Sequence, residues 1–116
     1  MPATVLIVDD HPSFRATANA LLTAGGFQVV GEAHNGASAL RQIRALGPDV
    51  VLLDIRLPDI DGFEVLRRLD HRGDGPAVVL TSSRDATDFG TLIDEAGARG
   101  FIPKGELSVE RLIELL

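Results

Sequence analysis

Short apolar runs alternate with amphipathic stretches along the whole chain. Val5-Leu6-Ile7-Val8 runs into Asp9-Asp10, Val50-Val51-Leu52-Leu53 into Asp54, and Val78-Val79-Leu80 into Thr81-Ser82-Ser83. These runs are brief, rich in β-branched residues and apolar at every position, as expected of strands covered on both faces of a parallel sheet. Phe27-Gln28-Val29-Val30 reads as a weaker strand interrupted by a polar residue, and Gly100-Phe101-Ile102 as a fifth strand bounded by Pro103. Between them lie helical stripes. Phe14, Ala18, Leu21 and Leu22 are stopped by Gly25-Gly26, and Ala39, Leu40, Ile43 and Leu46 by Gly47-Pro48. Phe63, Leu66 and Leu69 form the third stripe, Phe89, Leu92, Ile93 and Ala96 the fourth, and Val109, Leu112, Ile113 and Leu116 the fifth. A βα unit repeated five times predicts an α/β fold: a doubly wound, five-stranded parallel sheet between two helical layers.

The 116 residues suffice for one domain, and 45% hydrophobic content supplies its core. Eleven basic and seventeen acidic residues leave a net charge of −6, which argues against gripping nucleic acid or an anionic membrane by charge. No cysteine is present, excluding a disulfide scaffold, thiolate metal sites and a cysteine nucleophile. The longest apolar run is far too short to span a bilayer, and nothing at the N-terminus reads as a signal peptide. The expected compartment is the cytoplasm.

Chemistry gathers just beyond the strands. In open α/β sheets ligands bind past the carboxyl ends of the strands. There the chain places Asp9, Asp10, Asp54, Thr81 and Lys104. Each has a plain alternative: Asp10 as a cap for the helix that Pro12 starts, Asp54 as a turn residue before Pro58, Thr81 as a strand end, and Lys104 as a solvated charge. Their joint placement at one edge is what those readings explain badly. Clustered carboxylates repel unless a cation or proton enters, and an all-oxygen set suits Mg²⁺. A carboxylate beside Mg²⁺ and a lysine is also a plausible phosphoryl nucleophile. The three histidines, His11, His34 and His71, lack metal-ligand spacing and read as surface residues, although His11 adjoins the acidic pair.

Jointly, Val8-Asp9-Asp10, Asp54, Leu57-Pro58-Asp59-Ile60-Asp61-Gly62, Thr81-Ser82-Ser83 and Phe101-Ile102-Pro103-Lys104 resemble the receiver domain of two-component response regulators over the whole chain. The Asp9-Asp10-His11-Pro12 start and Gly97-Ala98-Arg99-Gly100-Phe101 are most similar to the NarL/LuxR-type subgroup. The resemblance implies a flavodoxin-like, CheY-like three-layer sandwich spanning residues 1–116 as a single receiver domain. It implies Asp54 as phosphoacceptor, and Mg²⁺ held by Asp9, Asp10, Asp54 and the backbone carbonyl of Arg56. Thr81 would read the phosphoryl group, Lys104 would contact it, and Phe101 would be the switch aromatic. It further implies a regulatory domain acting only on its own phosphorylation and dephosphorylation, a sensor histidine kinase as partner, and a homodimer on phosphorylation. DNA would be reached only through an output domain outside these residues. Phe101 lacks the hydroxyl of the common Tyr, and Gly105 replaces the proline that makes a cis bond after the lysine cheap. One rival, a phosphatase of the haloacid-dehalogenase type, wants a second Asp where Arg56 stands. The other is a phosphorylation-independent interaction module that merely keeps the pocket.

Overall fold

The computed structural model describes residues 3–69, 75–84 and 86–116. Its elements follow the alternation: β1 (Thr4–Val8), α1 (Pro12–Ala24), β2 (Gln28–Ala33), α2 (Gly36–Leu46), β3 (Val50–Asp54), α3 (Gly62–Arg68), β4 (Ala77–Ser82), α4 (Leu92–Glu95), β5 (Gly100–Pro103) and α5 (Val109–Leu115). All five strands are parallel, in the order β2-β1-β3-β4-β5. The order reverses between β1 and β3, so a crevice opens past their carboxyl ends.

Strict alternation along each strand divides the core into two layers. Leu6, Val8, Val51, Leu53, Val78 and Leu80 face α2 and α3, where Ala39, Ile43, Phe63 and Leu66 cover them. Val5, Ile7, Val50, Leu52 and Val79 face the other way, against Ala18 and Leu22 of α1 and Leu112 of α5. Burial on both faces is why the central strands tolerate no polar residue before their ends. β2 lies at one edge and is only partly buried, as interrupting Gln28 suggests.

Local chemistry sets the helix ends. Asn35 caps α2 by accepting from the Ser38 amide at 2.8 Å, and Gly47 ends it in the left-handed region at φ 55. Asp61 caps α3 by accepting from the Glu64 amide at 2.8 Å. Gly25 leaves room that Val109 of α5 fills, since a Cβ there would lie 2.4 Å from Val109 Cγ2.

Three helical stripes depart from the expectation. Leu46 is exposed at the end of α2 instead of joining its stripe. The fourth stripe is not one helix: Gly90, at φ 58, separates a 3-10 turn (Ala86–Phe89) from the four-residue α4, in which no residue is fully buried. In α5 the inward positions are Leu112 and, half-buried beside it, Leu115, whereas Ile113 is 56% exposed. An edge helix covered on one side needs only a narrow stripe, and the last turn's position 115, not 116, points at the sheet.

Candidate functional site

Backbone register builds the site. Val8 pairs with Leu53, so the next residues, Asp9 just past β1 and Asp54 at the end of β3, sit side by side, and Asp54 pairs directly with Thr81. Lys104 begins the turn after β5. Asp9, Asp54 and Thr81 are buried, Asp10 lies exposed at the rim, and Lys104 is 14% exposed.

Lys104 joins the two buried acids. Its Nζ lies 2.6 Å from Asp9 Oδ2, as a charge contact without hydrogen-bond alignment, and donates to Asp54 Oδ2 at 3.1 Å. Its ammonium also sits 4.9 Å from the centre of the Phe14 ring. The Arg56 amide donates to Asp54 Oδ1 at 3.2 Å. Burial pushes the Asp54 carboxyl above its ordinary pKa, neighbouring Asp9 adds to that, and Lys104 pulls it back. For Lys104, burial favours the neutral amine, but the charges of Asp9 and Asp54 outweigh it and raise its pKa. Asp59, at the far end of the same loop, accepts from the Gly36 and Ala37 amides at 2.7 and 2.9 Å, tying the loop after β3 to the start of α2.

The structure therefore brings together Asp9, Asp10, Asp54, Thr81 and Lys104 as expected. Phe101 stands apart from them, half-buried in an aromatic file: its ring centre is 6.2 Å from Phe89, which meets Phe63 edge-on at 6.0 Å. The peptide bonds are trans throughout the described residues, including Lys104–Gly105. His34 is exposed as expected, and His71 lies outside the described residues.

Two residues beyond the expected set belong to the site. His11 is exposed, yet its Nδ1 lies 3.0 Å from Asp9 Oδ1 and 3.1 Å from Asp10 Oδ1. Arg15, one turn into α1, donates to the Asp9 carbonyl at 2.6 Å and pairs with Glu32 at 3.1 Å, fastening the end of β1 to β2. The available signal was position: His11 directly follows the acidic pair, and Arg15 follows one helical turn later. A groove of about 420 Å³, lined in part by Phe14, Thr17, Leu21 and Leu107, opens beside Lys104.

The donor set fits a hard divalent cation. Asp9, Asp10 and Asp54 offer oxygens that converge with His11 within 4.8 Å of one another. Thr81 Oγ1 is buried without a hydrogen-bond partner, as a group awaiting an anionic oxygen would be, and the buried Asp9 Oδ2 faces the Lys104 charge at 2.6 Å. No described helix is long and apolar enough to cross a membrane.

Residues 5–116 match the model of the response regulator receiver domain. A transcriptional regulator of Pseudomonas aeruginosa is 42% identical over 109 residues, covering 94% of this chain and 53% of that protein. A protein-glutamate methylesterase/protein-glutamine glutaminase of Hahella chejuensis is 43% identical over 102 residues, covering 86% of this chain and 29% of that protein. Among solved structures, the signal receiver domain of NarL from Mycobacterium tuberculosis has a TM-score of 0.82 at 37% identity, covering 98% of this chain and 96% of that one. The chain spans about half, or less, of the length of these curated relatives.

Proposed function

The chain belongs to the response regulator receiver family, and on that premise we propose that Asp54 is the residue through which it takes up a phosphoryl group from a sensor histidine kinase. One observation carries the assignment. Asp54 is 2% exposed at the end of the central strand, bonded to Lys104 and paired in register with a threonine whose hydroxyl has no partner.

In the step itself, an ionised Asp54 oxygen attacks phosphorus. The new O–P bond forms as the bond from phosphorus to the donor imidazole breaks, and the imidazole leaves with that electron pair. Lys104 places a positive charge beside the acceptor oxygen, and the Thr81 hydroxyl is free to donate to a phosphoryl oxygen. Asp9, Asp10, Asp54 and the Arg56 carbonyl would hold Mg²⁺, which when bound supplies charge neutralisation for the phosphoryl oxygens. The groove beside Lys104 gives the donor a place to approach. Such a domain acts only on its own phosphorylation state.

The switch follows from what the phosphoryl group touches. Drawing Thr81 inward frees space toward β5 that Phe101 can fill, and Phe89 and Phe63 would move with it. The bias available is a few kcal/mol at most, the difference made by one or two charge-assisted bonds. The changed surface around α4, β5 and α5 would carry a homodimer and control an output, namely transcription. DNA would be contacted through an output domain beyond residues 1–116, and the setting would be the cytoplasm. Intact-mass spectrometry after acetyl phosphate and Mg²⁺ tests the core claim. One added phosphoryl mass that Asp54→Ala abolishes is expected. A gain that survives the substitution refutes Asp54 as acceptor.

A further inference from the structure

Asp9 stands where the sheet stops supporting the chain. The β1 ladders end at Val8, opposite Ala33 of β2 and Leu53 of β3. One residue further, the Asp9 amide still reaches β2, donating to the Ala33 carbonyl at 3.0 Å. Its carbonyl is taken by a side chain instead, accepting from Arg15 Nη1 of α1 at 2.6 Å. That carbonyl belongs to the peptide joining Asp9 to Asp10, so the bond bears on both acids.

Arg15 is itself braced. Its Nε donates to Glu32 Oε1 at 3.1 Å, and Asn19, one turn along α1, donates to Glu32 Oε2 at 3.1 Å. Thr23 Oγ1 donates to the Asn19 side-chain oxygen at 3.0 Å, and Gln42 of α2 donates to the Glu32 carbonyl at 2.9 Å. The guanidinium is thus held from β2 while 19% of the side chain is exposed. A partly exposed ion pair between α1 and β2 would stabilise little by itself. What sets this one apart is the second arm of the guanidinium, a charge-assisted bond to the peptide that carries the acidic pair.

We infer that Arg15, braced by Glu32, is a positioning residue of the acidic pocket: it fixes the plane of the Asp9–Asp10 peptide and with it the direction of both carboxylates. The inference rests on the receiver reading, in which those carboxylates hold the divalent ion beside Asp54. Groups that orient metal ligands from outside typically change metal affinity about tenfold or more. Lysine cannot replace Arg15, because Nε and Nη1 serve different partners and an ammonium has one nitrogen.

Amide NMR of the whole chain, titrated with MgCl₂, tests it on the native protein and on Arg15→Met, Arg15→Lys and Glu32→Gln. Both Arg15 substitutions are expected to weaken Mg²⁺ about tenfold. Glu32→Gln, which leaves the Asp9 contact in place, should weaken it less than about threefold, although it and Arg15→Met both lose the ion pair and should lower Tm alike. Without metal or variant, a long-range HNCO experiment should couple native Arg15 Nη1 to the Asp9 carbonyl carbon. Native Mg²⁺ affinity in Arg15→Met, equal losses in Arg15→Met and Glu32→Gln, or an absent coupling would overturn the inference. The receiver reading falls separately, if the native protein fails to gain an Asp54-dependent phosphoryl group.

Discussion

Replacing Lys104 by methionine keeps most of its aliphatic stem but removes the cation between Asp9 and Asp54. The two carboxylates are buried, and Lys104 Nζ stands 2.6 and 3.1 Å from their oxygens. Deleting one partner of a fully buried ionic cluster typically costs 3–5 kcal/mol. Solvent reaches part of Lys104, so about 2–3 kcal/mol is expected at pH 7.5, or a fall in Tm of about 8–15 °C. The cost must also depend on pH. Asp54 already has a pKa above its ordinary 3.8, from burial and then from Asp9, and Lys104 acts to lower it. An acid whose pKa is higher folded than unfolded binds more protons when folded. Its contribution is therefore complete below about pH 3.8 and is lost as pH rises through the folded value. Without Lys104 that folded value climbs further, so the gap between native and variant should widen from pH 5 to pH 7.5. Lys104 works in the same direction: its raised pKa keeps its own contribution intact below about 10.5. Urea unfolding followed by circular dichroism at both pH values, with EDTA, reads the difference. A variant as stable as the native protein at pH 7.5, or a gap that narrows with rising pH, would refute the account of the pocket.

Three further outcomes follow from other contacts. The amides of Gly36, Ala37, Ile60 and Asp59 itself outweigh a burial effect and hold the Asp59 carboxyl down at about 2. Because Asp59 is largely exposed, Asp59→Ala should cost only about 1 kcal/mol. That cost should be present above about pH 3.8 and vanish as pH falls toward 2, and a carboxyl titrating near 4 by NMR would contradict it. Gly62→Ala would set a Cβ 2.7 Å from the Asp54 carbonyl oxygen and 3.0 Å from Ile55 Cα, both backbone atoms, so a loss of about 1–3 kcal/mol is expected on thermal melting. Phe89→Leu keeps bulk but removes both ring contacts, worth about 0.5–1.5 kcal/mol each. With a beryllofluoride mimic, ring signals of Phe63 should respond in the native protein and fall silent in the variant; an unchanged response would refute the aromatic relay.

Legibility differed by what each residue answers to. The central strands had to be apolar at every position because both faces are covered, and their acids had to stand at the ends because only there does the sheet open. The pocket was readable for the same reason: parallel strands in register put Asp9, Asp54 and Thr81 in line without any knowledge of side-chain contacts. His11 was not, because its importance lies in a ring direction fixed by contacts with Asp9 and Asp10, which no spacing rule records.

The stretch from Thr81 to Phe101 shows the opposite failure, and its cause bears on function. Periodicity counts side-chain phase and is blind to backbone breaks, so a stripe at Phe89, Leu92, Ile93 and Ala96 reads as one helix although Gly90 divides it. What remains is a 3-10 turn whose Phe89 is only half-buried and a four-residue helix with no fully buried side chain, between two strands that are firmly paired. Few buried apolar groups mean a low free energy of local rearrangement. A phosphoryl group able to supply only a few kcal/mol can repopulate an element only if its alternatives lie that close together. A long, well-packed α4 would be a better helix and a poorer switch, so the weak packing here, between the threonine that would sense Asp54 and the aromatic file ending at Phe101, is where the proposed signal has least to overcome.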